Sequence, residues 1–153
     1  MKPIFVLNGP NLNLLGSREP EVYGRDTLAD IERLCAETAE RLGVGIVFEQ
    51  TNSEGGLVDL VQRAGREGSA IVINPAAYTH TSVALLDALQ GVDVPAVEVH
   101  LSNPARREAF RHTSYAAKAA EGSITGFGAF SYVLGLEAAA RLVRRASEEQ
   151  EGS

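Results

Sequence analysis

Short apolar runs rich in β-branched residues alternate along this chain with segments whose apolar residues recur every three or four positions, and that alternation leaves few architectures open. Ile4-Phe5-Val6-Leu7 reads as a strand, about Thr27 to Leu42 as a helix, Gly45 to Gln50 as a strand and Leu57 to Ala64 as a helix. The second half repeats the scheme, with strands at Ala70 to Ile73, Ala96 to His100 and Ser123 to Thr125, and helices at Ser82 to Leu89 and Phe130 to Ala146. Strands joined through helices pair in parallel, and a parallel sheet is buried on both faces, which is why the runs are continuously apolar.

With right-handed crossovers these elements form a single α/β domain, a doubly wound five-stranded parallel sheet of the flavodoxin-like kind. Thr27 with Asp30 three residues on predicts an N-cap, and Gly43 supplies the left-handed residue that ends the same helix. A chain of 153 residues buries a sizeable core as one domain. We assign residues 1–146 to it and read Ser147 to Ser153, small and acidic, as a disordered tail. Neither a secretory signal nor a membrane span is recognisable, and the single cysteine, Cys35, falls in the helical pattern Leu28-Ile31-Leu34-Cys35, so a buried thiol and a cytoplasmic setting are expected. A net charge of −6 argues against a nucleic-acid surface, and Arg141, Arg144 and Arg145 suit a helix C-terminus.

The stretch Asn8 to Gly24 follows the first strand and breaks every regular pattern with Gly9-Pro10, Gly16 and Pro20. It leaves the carboxyl end of a strand, where open α/β sheets bind ligands. It carries an amide at Asn11, a fixed cation at Arg18 and a phenol at Tyr23. To act as a base at neutrality a phenol must gain about 4 kcal/mol of stabilisation as phenolate. A guanidinium about 4 Å away supplies that at an effective dielectric near 20. A surface tyrosine packed on a loop arginine fits the same spacing.

Alternation along Ala96-Val97-Glu98-Val99-His100 puts Glu98 and His100 on one side of a strand, either as a proton donor with a carboxylate that sets its tautomer or as a structural pair. Backbone N–H groups at Leu101 and Ser102, ahead of a helix opened by Pro104, suit an anionic carboxylate. Asn74 and His80 follow the third strand and suit hydroxyl groups, whereas Thr79 or Thr81 serves equally well to cap the next helix. Asp87 reads as a solvated helix residue, and Arg111 and His112 as possible exposed charges. No metal-ligand spacing is visible among the three histidines. The two lysines, Lys2 and Lys118, offer no credible Schiff-base nucleophile, and no phosphate or dinucleotide fingerprint occurs, so no cofactor is expected.

Taken together, Asn8-Gly9-Pro10-Asn11-Leu12, Arg18-Glu19-Pro20 through Tyr23-Gly24, Thr79-His80-Thr81-Ser82, Glu98-Val99-His100-Leu101-Ser102-Asn103 and Phe110-Arg111-His112 resemble the type II 3-dehydroquinate dehydratases over nearly the whole length. The resemblance implies a lyase of the shikimate pathway that removes water from 3-dehydroquinate by anti elimination through an enolate, without metal, cofactor or Schiff base. Tyr23 then matches the base, Arg18 its activator, His100 the proton donor, Asn11 an organising amide and Glu98 a carboxylate that orders water. Asn74, His80 and Arg111 match substrate-hydroxyl contacts, and Leu101 and Ser102 the carboxylate-binding backbone. The resemblance also implies a dodecamer built as a tetramer of trimers, with Asp87 reaching a neighbouring subunit's site. Leu86, Pro104-Ala105 and Lys118 depart from the family pattern without removing a matched group. A flavodoxin-like binding or signalling module is the rival class. The absence of clustered acids after the first strand and of a late lysine counts against a receiver, and Asn8-Gly9-Pro10 against a flavin loop.

Overall fold

Residues along β1 (Ile4–Asn8) send their side chains alternately to two different cores, and the whole fold follows from that alternation. The computed structural model describes residues 1–17 and 19–152. After β1 the chain runs through α1 (Pro20–Tyr23), α2 (Leu28–Leu42), β2 (Ile46–Gln50), α3 (Glu54–Glu67), β3 (Ala70–Asn74), α4 (Val83–Gln90), β4 (Ala96–His100), β5 (Gly122–Thr125) and α5 (Phe130–Glu151). The five strands are parallel in the order β2-β1-β3-β4-β5, as expected for the flavodoxin-like arrangement, with Leu7 opposite Ile73 and Ile73 opposite Glu98.

Ile4, Val6, Val72, Val97 and Val99 face α2 and α5, where Ile31, Cys35, Tyr132, Leu136 and Ala140 close one core. Phe5, Leu7, Ile71 and Ile73 face α3 and α4, against Leu57, Val61, Leu85 and Leu89. On α5 the sheet comes so close that a Cβ at Gly135 would lie 2.7 Å from Val99 Cγ1. Cys35 is fully buried, and burial, reinforced by Glu32, pushes its thiol up to about 12.

Caps account for most element boundaries. Thr27 Oγ1 accepts from Asp30 N at 3.1 Å while Asp30 Oδ2 accepts from Thr27 N at 2.9 Å, and Gly43 takes φ 71, as the sequence predicts. Helix α3 begins three residues earlier than expected, at Glu54, because Ser53 caps it, its Oγ accepting from Gly56 N at 3.0 Å. Ser82, not Thr79 or Thr81, caps α4, accepting from Leu85 N at 2.9 Å. Two other expectations need correction. The segment 147–153 was expected to be disordered, yet α5 continues through Glu151, since nothing before Gly152 interrupts a run of good helix formers. The stretch 8–24 is not bare loop either: it holds a 3₁₀ turn at Leu12–Leu14, stitched down by buried Leu12 and Leu15, and the single-turn α1 with Pro20 in its first turn.

A buried polar chain ties the carboxyl ends of β1 and β3 together. Tyr132 OH donates to Asn8 Oδ1 at 2.7 Å and accepts from Asn74 Nδ2 at 2.9 Å; Asn8 Nδ2 donates to Glu49 O at 2.9 Å, and Asn74 Oδ1 accepts from Ala76 N at 3.1 Å. All three side chains are at most 2% exposed. Tyr132→Phe leaves two amide groups without their phenol partner, so unfolding by urea should show a loss of about 1–3 kcal/mol. An unchanged midpoint would show that water replaces the hydroxyl without loss.

Candidate functional site

Strand order reverses between β1 and β3, and the loops leaving their carboxyl ends part there to form a crevice. Gly9 makes the approach possible: a Cβ at that position would lie 2.4 Å from Pro75 O, and Gly9 N donates to Asn74 O at 2.8 Å. Flanking these contacts, Asn11 at φ 68 and Ala76 at φ 52 hold left-handed backbone, each at a cost of about 1–3 kcal/mol. The space between the walls is about 540 Å³, counting the part that is open to solvent.

Asn11, Tyr23, Asn74, His80, His100, Leu101, Ser102 and Arg111 all line this crevice, so eight of the expected site residues converge. Glu98 lies behind His100 on a second hollow that shares His80, His100 and Arg111 with the first. Asp87 is not brought in: it is exposed on α4, beside Val58, Gln62 and Val92. Arg18 falls outside the described residues.

Glu98 and His100 do share one side of β4, and His100 Nε2 lies 2.6 Å from Glu98 Oε2. The Glu98 side chain is 2% exposed and that of His100 11%. Thr79 Oγ1 donates to Oε2 at 2.5 Å, Ser114 Oγ reaches both carboxylate oxygens at 3.0 and 2.9 Å, and Ser123 Oγ reaches Oε1 at 3.2 Å. Burial alone raises the Glu98 carboxyl, but the hydrogen bond and charge of His100, with hydrogen bonds from Thr79 and Ser114, outweigh it and hold the group below its ordinary value. With Glu98 ionised, Nε2 carries the proton of that bond and Nδ1 is the ring nitrogen left for other work.

His80 Nδ1 donates to Thr113 O at 2.8 Å, which leaves Nε2 as the acceptor of the neutral ring. Arg111 pairs with Glu108 at 2.6 Å and lies over the Phe110 ring at 4.9 Å. Pro104 opens only a three-residue 3₁₀ turn, already capped by Asn103 Oδ1 on Ala105 N at 3.1 Å, so Leu101 and Ser102 do not precede the helix expected there. Among the described residues no group of three or more His, Cys, Asp or Glu is gathered to hold a metal ion, and no helix is long and apolar enough to cross a membrane.

Arg107 escaped the sequence reading. Its guanidinium lies 5.2 Å from the centroid of the Tyr23 ring and its Nη1 is 3.5 Å from Ser102 Oγ, so a fixed positive charge covers the face of the phenol. The signal lies in Arg106-Arg107 just after Pro104, a second basic cluster besides that of the last helix. Thr79, Ser114 and Ser123 were missed as partners of Glu98 because they come from three separate segments.

The depressed Glu98 carboxyl carries a sign for stability. Its contribution is present above the ordinary glutamate value, about 4.3, and is lost as pH falls through the lower value of the folded state. Urea midpoints of the protein should therefore fall more steeply than those of Glu98→Gln as pH drops below about 4.3; parallel curves would refute an ionised Glu98.

Comparison with known proteins places these features in context. The pattern of the family described as Dehydroquinase class II matches residues 2–140. A 3-dehydroquinate dehydratase of Phenylobacterium zucineum (strain HLK1) is 60% identical over 143 residues, covering 94% of this chain and 99% of that one. One of Caulobacter vibrioides (strain ATCC 19089 / CIP 103742 / CB 15) is 57% identical over 144 residues, covering 94% and 99%. The crystal structure of type II dehydroquinase from Propionibacterium acnes superposes with a TM-score of 0.88 at 41% identity, covering 92% of this chain and 97% of that one.

Proposed function

This chain belongs to the class II dehydroquinase family, and on that footing we propose that it is a hydro-lyase that converts 3-dehydroquinate to 3-dehydroshikimate by anti elimination through an enolate. The observation that carries the reading is the convergence of Tyr23 and His100 on one crevice, with the Arg107 guanidinium over the Tyr23 ring and Glu98 behind His100.

In this reading the Tyr23 phenolate oxygen takes a proton from the carbon next to the ketone, and the electron pair moves into an enolate. The positive charge of Arg107 stacked on the ring favours the phenolate, and Arg18 is assigned the same task from the sequence match. Collapse of the enolate breaks the bond to the departing hydroxyl, to which His100 gives a proton so that water leaves. Tyr23 ends protonated and His100 deprotonated, and exchange with solvent resets both. Glu98 keeps Nε2 of His100 occupied, so Nδ1 is the atom that serves the leaving group, and the carboxylate steadies the imidazolium. Leu101 and Ser102 receive the substrate carboxylate, Asn74, His80 and Arg111 the ring hydroxyls, and Asn11 orders the leaving-group side. No step needs a metal, an organic cofactor or a Schiff base.

Asp87 belongs to the same proposal: exposed on α4 and remote from its own crevice, it completes the site of a neighbouring subunit in a trimer, four of which build the dodecamer. The buried Cys35 thiol accords with a cytoplasmic setting.

Addition of 3-dehydroquinate should produce the absorbance of a conjugated enone. Tyr23→Phe should lower kcat by at least about 100-fold with KM little changed, the scale of a lost general base. Wild-type turnover in that variant would remove tyrosine from the role. Borohydride added with substrate should leave the mass of the protein unaltered, and a trapped adduct would overturn the enolate route.

A further inference from the structure

Ser114 sits in the short segment Thr113-Ser114-Tyr115, outside every residue matched to the reaction, yet this segment touches the site at three points. Thr113 O holds the Nδ1 proton of His80 at 2.8 Å, Tyr115 N donates to Thr79 O at 2.7 Å, and between them Ser114 Oγ spans both oxygens of Glu98. The same oxygen accepts from Ala117 N at 3.0 Å, which leaves its single proton to be donated elsewhere. Thr79 Oγ1 lies 2.7 Å from Ser114 Oγ and 2.5 Å from Glu98 Oε2. However the two hydroxyls are ordered, their protons run along paths that end on Glu98, the one partner in the cluster that has lone pairs and no proton to give.

A carboxylate turns easily about its last torsion, which is broad and two-fold. Here Oε2 takes His100 and Thr79, Ser123 reaches Oε1, and Ser114 spans the two, so rotation would break bonds at both oxygens at once. We propose that Ser114, assisted by Ser123, is a positioning residue that locks the Glu98 carboxylate and through it fixes the Nε2 proton and ring plane of His100. This rests on the dehydratase reading only for its kinetic consequence. The alternative duty of Ser114, as a cap on the turn at Ala116–Lys118, would affect stability but not the ring proton of His100.

The test combines proton spectra of the free protein with kinetics. In the unmodified protein the proton on His100 Nε2, a nitrogen 2.6 Å from Glu98 Oε2, should give a downfield, slowly exchanging resonance coupled to a ring nitrogen. Ser114→Ala should broaden or erase it and lower kcat about tenfold with KM within about twofold, a fraction of the 10²–10⁴-fold that a general acid supplies. Ser114→Thr should restore both. Ser123→Ala, whose bond is the longer at 3.2 Å, should act in the same direction to a smaller degree, and it serves where Ser114→Ala does not fold. A wild-type resonance and kcat in either alanine variant would overturn the proposal. An enzyme without dehydratase turnover would instead overturn the functional reading, while the resonance, which needs no substrate, still decides the lock.

Discussion

A single buried carboxylate, Glu98, sets the terms on which one end of this sheet can be assembled. An unpaired charge at that depth costs several kcal/mol, so the structure must bring donors to it at once. They come from β4 itself, from the turn after β3, from the segment ahead of Ala116 and from β5. Strand β5 is only four residues long and half exposed, and its single serine, Ser123, reaches the carboxylate, so the edge of the sheet is bound to its most demanding residue.

A second polar chain does the same for the other half of the crevice. Asn8, Tyr132 and Asn74 join the ends of β1 and β3 through α5, directly beneath loops that Gly9 allows into contact. Both chains lie toward the carboxyl ends of strands, where polar side chains can enter with little interruption of the apolar interior. Backbone strain at Asn11 and Ala76 is tolerated there because the surrounding hydrogen bonds leave those residues no alternative.

Groups assigned to the chemistry ride on thin elements over this rigid floor. Tyr23 ends the four-residue α1, far below the length at which a helix sustains itself, so its position depends on packing against the core and on the Arg107 guanidinium above its ring. His100, by contrast, closes a fully buried strand and is held by Glu98. One partner in the proposed proton exchange is thus held by tertiary contacts and the other by the buried strand that carries it.

Periodicity and capping residues were enough to read the parallel sheet, the five strands and the pairing of Glu98 with His100, because these depend on neighbours two to four positions apart in the chain. The loop residues Asn11, Tyr23, Asn74 and His80 were legible as candidates because they follow strands whose carboxyl ends must gather at one edge. What sequence could not reveal were contacts between distant segments: Arg107 over Tyr23, Tyr132 between two asparagines, and the hydroxyls of Thr79, Ser114 and Ser123 around one carboxylate. Each of those residues has an ordinary local role, as a surface charge, a helix aromatic or a cap. Only the close packing of four or more segments decides which role it takes, since a buried polar group accepts whatever partner the fold delivers within about 3 Å.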